Sequence, residues 1–169
     1  MKKLLFPLII IGTLAMIVVM RITETPLKQP ATPAGIVNLE LAFDTVNSNK
    51  IIDAWTTANV IKDARVNTYC DFVFIFFYTF FLFFCCKKLT AKFREGDWKR
   101  NAGLFFSKAV FVSALLDVGE NSGMLLTLNG SGSSGIVLLT SVCSAIKWAI
   151  VLLTIIYILL ALFSKRQVP

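Results

Sequence analysis

Apolar residues in this chain gather into four blocks, and polar residues fill the gaps between them. The blocks cover about residues 4–20, 66–86, 104–128 and 136–163. A bilayer core about 30 Å thick is crossed by roughly 17–25 apolar residues of helix, so each block predicts a membrane span. The first block follows Lys2 and Lys3 and resembles a signal peptide. Its apolar run from Leu4 to Met20 is longer than the usual h-region of about 7–15 residues. Val18, Val19, Met20 and Arg21 stand where the small residues of a cleavage site would lie. It therefore reads as an uncleaved first helix, with Pro7 tolerated in the first turn and Gly12 placed for a close helix contact.

The stretch between the first and second blocks is not polar linker throughout. Pro26, Pro30 and Pro33 make its start extended or turn-like. Thr32 as N-cap and Pro33 at the first helical position predict a helix over Ala34 to Val46. Ile36, Leu39, Phe43 and Val46 would share its apolar face, with Glu40 beside them. Asn47-Ser48-Asn49 reads as a turn in which Ser48 or Asn49 caps a second helix. Ile51, Ile52, Trp55, Ala58 and Val60 give that helix its apolar side. The pair forms an amphipathic cap over about residues 34–64, lying either on the membrane surface or over the mouth of the bundle. From Asn59 to Cys86 the chain reads as one long helix whose membrane part begins near Val66 or Tyr69. Phenylalanines there cover most of the circumference, which suits lipid contact and packing more than a cofactor box. The fold class is all-α: a four-transmembrane-helix bundle with an amphipathic helical cap between helices 1 and 2, in a single membrane domain over 1–169.

Composition agrees with spans. The chain is 56% hydrophobic and 16% charged, against about 25% charged in an average soluble domain, and its mean hydropathy is +0.74. The net charge is +7, and its distribution sets an orientation. Lys2, Lys3, the basic residues from Lys87 to Lys108, Lys165 and Arg166 fall on one side. Arg21, Lys28, Lys50, Lys62 and Arg65 fall on the other, offset by five acids. The positive-inside rule makes both termini cytoplasmic. The charge is thus an orientation signal rather than a nucleic-acid footprint, since basic and aromatic residues do not alternate on an exposed face. The chain has no histidine, which removes the commonest neutral-pH base and metal ligand. No cofactor or metal motif is present. Cys70, Cys85, Cys86 and Cys143 form no CxxC and read as small apolar fillers; a bridge is the alternative for Cys70 and Cys143, both placed in the outer half.

The third block carries the candidate chemistry. Asp117, Glu120 and Asn121 lie three and four residues apart, hence on one helix face, with Ser113 a turn earlier on the same stripe. Carboxylates in a membrane helix cost about 2.5–3.5 kcal/mol each on insertion scales and so face a partner or a cavity. At a rise of about 1.5 Å per residue, Asp117 and Lys147 both fall roughly 16 Å below the outer surface. Tyr78 reaches a similar depth on the second span, seven residues after Asp71 and on the same face. A polar column follows: Asp117, Lys147 and Tyr78 form its floor, and Asp71, Glu120 and Asn121 form its mouth, joined by Glu40 and Arg65 from the cap. Carboxylates with Asn121 are also hard-cation ligands. Gly119-x-x-x-Gly123 matches a helix-packing motif.

The segments GIVNLELA (Gly35–Ala42), DFVFIFFY (Asp71–Tyr78) and DVGEN (Asp117–Asn121), with Trp55, resemble a group of small bacterial four-helix inner-membrane proteins without assigned activity. The resemblance spans about residues 33–126. It implies the bacterial inner membrane as location and groups Glu40, Asp71, Asp117, Glu120 and Asn121 in one site.

The preferred functional expectation is an outward-facing polar intramembrane pocket. Glu40, Asp71, Tyr78, Asp117, Glu120, Asn121 and Lys147 would bind a small polar or amphiphilic ligand there, such as a lipid head group. An accessory subunit of a larger membrane complex is the second reading, with that complex as its membrane-protein partner. A carboxylate-dependent intramembrane lipid enzyme is the third. A purely structural ion-pair network competes with all of them, because buried polar groups in lipid need partners whether or not they do anything else.

Overall fold

A computed structural model describes residues 2–165, with side chains described from residue 4 onward. Arg166 and the side chains of Lys2 and Lys3, invoked above for orientation, lie outside the described residues. Among the described residues six α-helices follow one another: α1 (Lys2–Glu24), α2 (Ile36–Glu40), α3 (Thr45–Thr57), α4 (Ile61–Thr90), α5 (Trp98–Leu126) and α6 (Ser134–Phe163), with a 3-10 turn after α1 and a π turn after α5. Four of them, α1, α4, α5 and α6, are long and apolar enough to cross a membrane. The fold is thus the expected all-α four-helix bundle, with α2 and α3 forming a cap between the first and second long helices.

The long helices are arranged as an open chain. α1 packs on α4, α4 on α5, and α5 on α6, whereas α1 and α6 make no substantial contact. Small residues set the closest approaches. A side chain on Gly12 would run into the Phe77 ring, and one on Gly123 into the Thr140 hydroxyl. These positions fix how near α1 comes to α4 and how near α5 comes to α6, as small residues do in membrane helix pairs. Gly119 is not in such a contact, having only Cys143 Sγ at 3.9 Å, so one glycine of the GxxxG pair packs tightly and the other does not. Asn67 Nδ2 further ties α4 to α1 by donating to Thr23 Oγ1 at 2.8 Å.

The helices extend beyond the apolar blocks. α4 begins at Ile61 and runs to Thr90, and α5 begins at Trp98, where Asp97 caps it by accepting from Lys99 N at 2.7 Å. The long helix predicted from Asn59 starts two residues later, because Asn59 takes a left-handed conformation (φ 59°) and ends the cap. At the opposite end from the cap, Lys92 Nζ donates to Ala161 O and Leu162 O at 2.8 and 3.0 Å. It occupies the carbonyl-rich C-terminus of α6, where a cation is favoured. The four cysteines are free.

The cap differs in detail from the pattern reading. The helix predicted over Ala34–Val46 is a single turn, Ile36–Glu40, and Thr32 does not cap it. Its N-cap is Gly35 at φ 59° and ψ −131°, a left-handed backbone that glycine adopts without strain. Thr32 is instead buried and donates to Leu27 O at 2.8 Å. Phe43 then turns left-handed (φ 59°), so Phe43 and Val46 leave the face shared by Ile36 and Leu39 and stand exposed. α3 starts earlier than expected. Asp44, not Ser48 or Asn49, caps it by accepting from Asn47 N at 2.7 Å.

The cap lies on the bundle rather than flat on a surface. Leu27, Ile36, Leu39, Ile51 and Trp55 form one apolar core with Met124, Leu128 and Val137 of the bundle. Trp55 is completely buried, and its indole N–H donates to Leu27 O and Thr32 Oγ1 at 3.0 and 3.1 Å. The Phe43 amide donates to Ser141 Oγ at 2.9 Å and pins α2 against α6.

Candidate functional site

One stripe of α5 supplies the centre of the site. Gly103, Ser107, Val110, Ser113, Asp117, Glu120, Asn121 and Met124 recur at three- and four-residue spacing and are buried, as an inward helical face requires. Asp117 and Glu120 project from it toward α6, where Lys147 meets them. Lys147 Nζ lies 2.7 Å from Asp117 Oδ1. It also straddles the Glu120 carboxylate, at 2.9 Å from Oε1 and 2.8 Å from Oε2; the first contact is aligned as a hydrogen bond, the second acts by charge alone. The Tyr78 hydroxyl donates to Asp117 Oδ2 at 2.8 Å. These four residues are the floor anticipated from helix depth, with one change: Glu120 belongs to it. Glu120 is fully buried and shares Lys147 with Asp117, because one helical turn brings both carboxylates within reach of a long lysine side chain.

The rest of the constellation forms a wall beside this floor. Asn121 Nδ2 donates to Asp71 Oδ2 at 2.8 Å, joining α5 to α4. Asn121 Oδ1 is buried without a hydrogen-bond partner. Glu40 enters from the cap: its Oε2 accepts from Trp148 Nε1 at 3.0 Å and Ser144 Oγ at 3.2 Å, both on α6. Among the described residues, no cation lies within ion-pair distance of Asp71 or Glu40. Arg65 does not join them. Its guanidinium donates to Leu128 O at 2.8 Å and borders a separate cleft with Ser48 and Asn129, since it points to the other side of α4. Ser144 and Trp148 belong to the site although the sequence did not single them out as such. Their positions one turn before and directly after Lys147 are the signal that could have found them.

A cavity of about 560 Å³ adjoins this wall. α1 and α6 line its opposite sides, α4 and α5 stand behind it, and α2 crosses its cap end. Glu40, Asp71, Asn121 and Lys147 line it near the cap, and Phe81, Leu82, Ile155, Ile158 and Leu159 line it farther in. From Lys147 to Leu159 the apolar stretch is roughly 18 Å long at a helical rise of 1.5 Å per residue. Asp117 and Tyr78 of the floor line it as well, whereas Glu120 lies behind them and does not. Among the described residues, no three His, Cys, Asp or Glu side chains are gathered to hold a metal ion; Asp117 and Glu120 turn to Lys147 instead of toward a shared cation.

The fold and site therefore define a four-helix protein with membrane-length helices, a capped end and a charged network buried beside an elongated cavity. Comparison with known proteins finds no family model, no curated protein and no solved structure that matches the chain. Its functional reading rests on this geometry.

Proposed function

We propose that this is a multi-pass protein of the bacterial inner membrane, both termini cytoplasmic, that binds a single-chain or slender amphiphile. The ligand's polar head would sit against Glu40, Asp71 and Asn121, and its hydrocarbon tail would lie along Phe81, Leu82, Ile155 and Leu159. The observation that carries this reading is the cavity's polarity gradient: acidic and amide groups at the capped end lead directly into an apolar trench. A purely structural network needs no such apolar trench beside it. Entry between α1 and α6 suits the reading, because those two helices do not pack together and a ligand dissolved in the bilayer could move in sideways. Asp117, Glu120, Tyr78 and Lys147 then act as a rigid base whose hydrogen bonds hold the wall in place.

Native mass spectrometry of protein released from mild detergent tests this. A small mass retained by wild type, and expelled by Val151→Trp, is the expected result, since Val151 lines the trench and tryptophan would fill it. A bare monomer in both proteins would overturn the binding reading. A stable larger partner without a small ligand would favour an accessory subunit instead.

A further inference from the structure

The hydrogen bonding of the cavity wall is one-sided, and this sets the chemistry of what it takes, given the amphiphile reading above. Consider the side-chain donors first. Lys147 gives to Asp117 and Glu120, and Tyr78 gives to Asp117. Trp148 gives to Glu40. The Asn121 amide nitrogen gives to Asp71, and the Asn67 amide nitrogen to Thr23 Oγ1 and Met20 O. The Thr13 and Thr68 hydroxyls give to backbone carbonyls of their own helices. Each donating group on the wall is already engaged.

The acceptors are in surplus. Asn121 Oδ1 is fully buried, lines the cavity through its residue, and has no partner. With Asp71 ionised, its carboxylate only accepts, so the amide nitrogen faces Asp71 and the oxygen is left over. Asp71 and Glu40 receive only neutral donors. In charge terms, Glu40, Asp71, Asp117 and Glu120 surround one lysine, whose contacts go to Asp117 and Glu120. Buried charges persist when they are paired and hydrogen-bonded. A group that brings positive charge and N–H donors to Asp71 and Glu40 completes the set. A phosphate or carboxylate head would meet two acids that, among the described residues, have no cation beside them.

We infer that the cavity is selective for a cationic head group: its ligand is a long-chain amine, with the ammonium between Asp71 and Glu40 and the alkyl chain in the trench. A lone metal ion does not fit this role, since about 560 Å³ of largely apolar space would remain unfilled.

The test uses the intact protein in a maltoside micelle, offered equimolar dodecylamine, dodecanol and dodecanoate, with adducts read by native mass spectrometry. Dodecylamine should be retained over dodecanoate by at least about tenfold, equivalent to roughly 1.4 kcal/mol. In Asp71→Asn, and separately in Glu40→Gln, the amine-to-acid ratio should fall toward one. Because the ratio is taken within each sample, partial loss of folded protein does not mimic the effect. Equal or greater retention of dodecanoate or dodecanol would overturn the amine assignment while leaving an amphiphile pocket standing. No adduct of any probe would overturn both. An amine preference unchanged in both variants would also refute the assignment, because the selectivity would not come from these acids.

Discussion

The floor and the wall of the polar cluster are built from similar residues and behave differently. In the floor, Lys147 binds both Asp117 and Glu120, and Tyr78 completes Asp117. In the wall, Asp71 and Glu40 have only neutral donors, and Asn121 keeps an unused oxygen. The floor is closed on itself, as a register-fixing network should be. Both border the cavity, and the wall is the part left without a cation. Carboxylates on neighbouring helices of one bundle thus differ in whether a cation of the chain itself reaches them; on the proposed reading, those it does not reach are the ones that meet the ligand.

This contrast can be broken most forcefully at Lys147. Lys147→Met leaves two buried acids without a counter-ion and should destabilise the fold by about 3–5 kcal/mol, read as a loss of resistance to denaturant in detergent. Asp117→Asn combined with Lys147→Met should recover only part of that loss, because Glu120 remains unpaired. Adding Glu120→Gln should recover more. Equal stability of the double and triple variants would show that Glu120 does not share the lysine.

A smaller effect separates packing from charge. Gly123→Leu overfills the approach of α5 to Thr140 and should cost about 1–3 kcal/mol, with no change in head-group preference among the molecules that still fold. Trp55→Phe removes an indole donor from Leu27 O and Thr32 Oγ1. Its cost should be about 0.5–1.5 kcal/mol per hydrogen bond, seen as a lower melting temperature. Because α2 carries Glu40 into the site, the same variant should also weaken ligand retention, which a cap unrelated to the site would not do. The smallest stability effect belongs to the wall. Asp71→Asn keeps a side-chain partner for Asn121 and should change stability by no more than about 1 kcal/mol.

Much of this organisation was legible in the sequence, for reasons that can be named. The four long helices follow from apolar block length, which the bilayer thickness imposes. The Asp117–Lys147–Tyr78 group follows from residue spacing and helical rise, because antiparallel neighbours place equal depths side by side. The cap was legible as helical but not in its boundaries. Nothing at Leu41–Phe43 marks a break, since neither glycine nor proline stands there; the left-handed turn at Phe43 coincides with a tertiary contact, its amide donating to Ser141 Oγ. Asp44 was a readable cap signal that the competing Asn47-Ser48-Asn49 turn obscured. The roles of Ser144 and Trp148 were hidden for another reason. Their partner Glu40 lies on a separate, one-turn helix, and no periodicity within α6 reveals what the cap will bring down upon it.

The most direct test of the division between floor and wall is the native mass spectrum of Asp71→Asn, recorded on protein that melts within a few degrees of wild type. A small mass retained by wild type and absent from the folded Asp71→Asn monomer is the predicted result. Retention of that mass at wild-type level would contradict the account, since the wall would then be as self-contained as the floor.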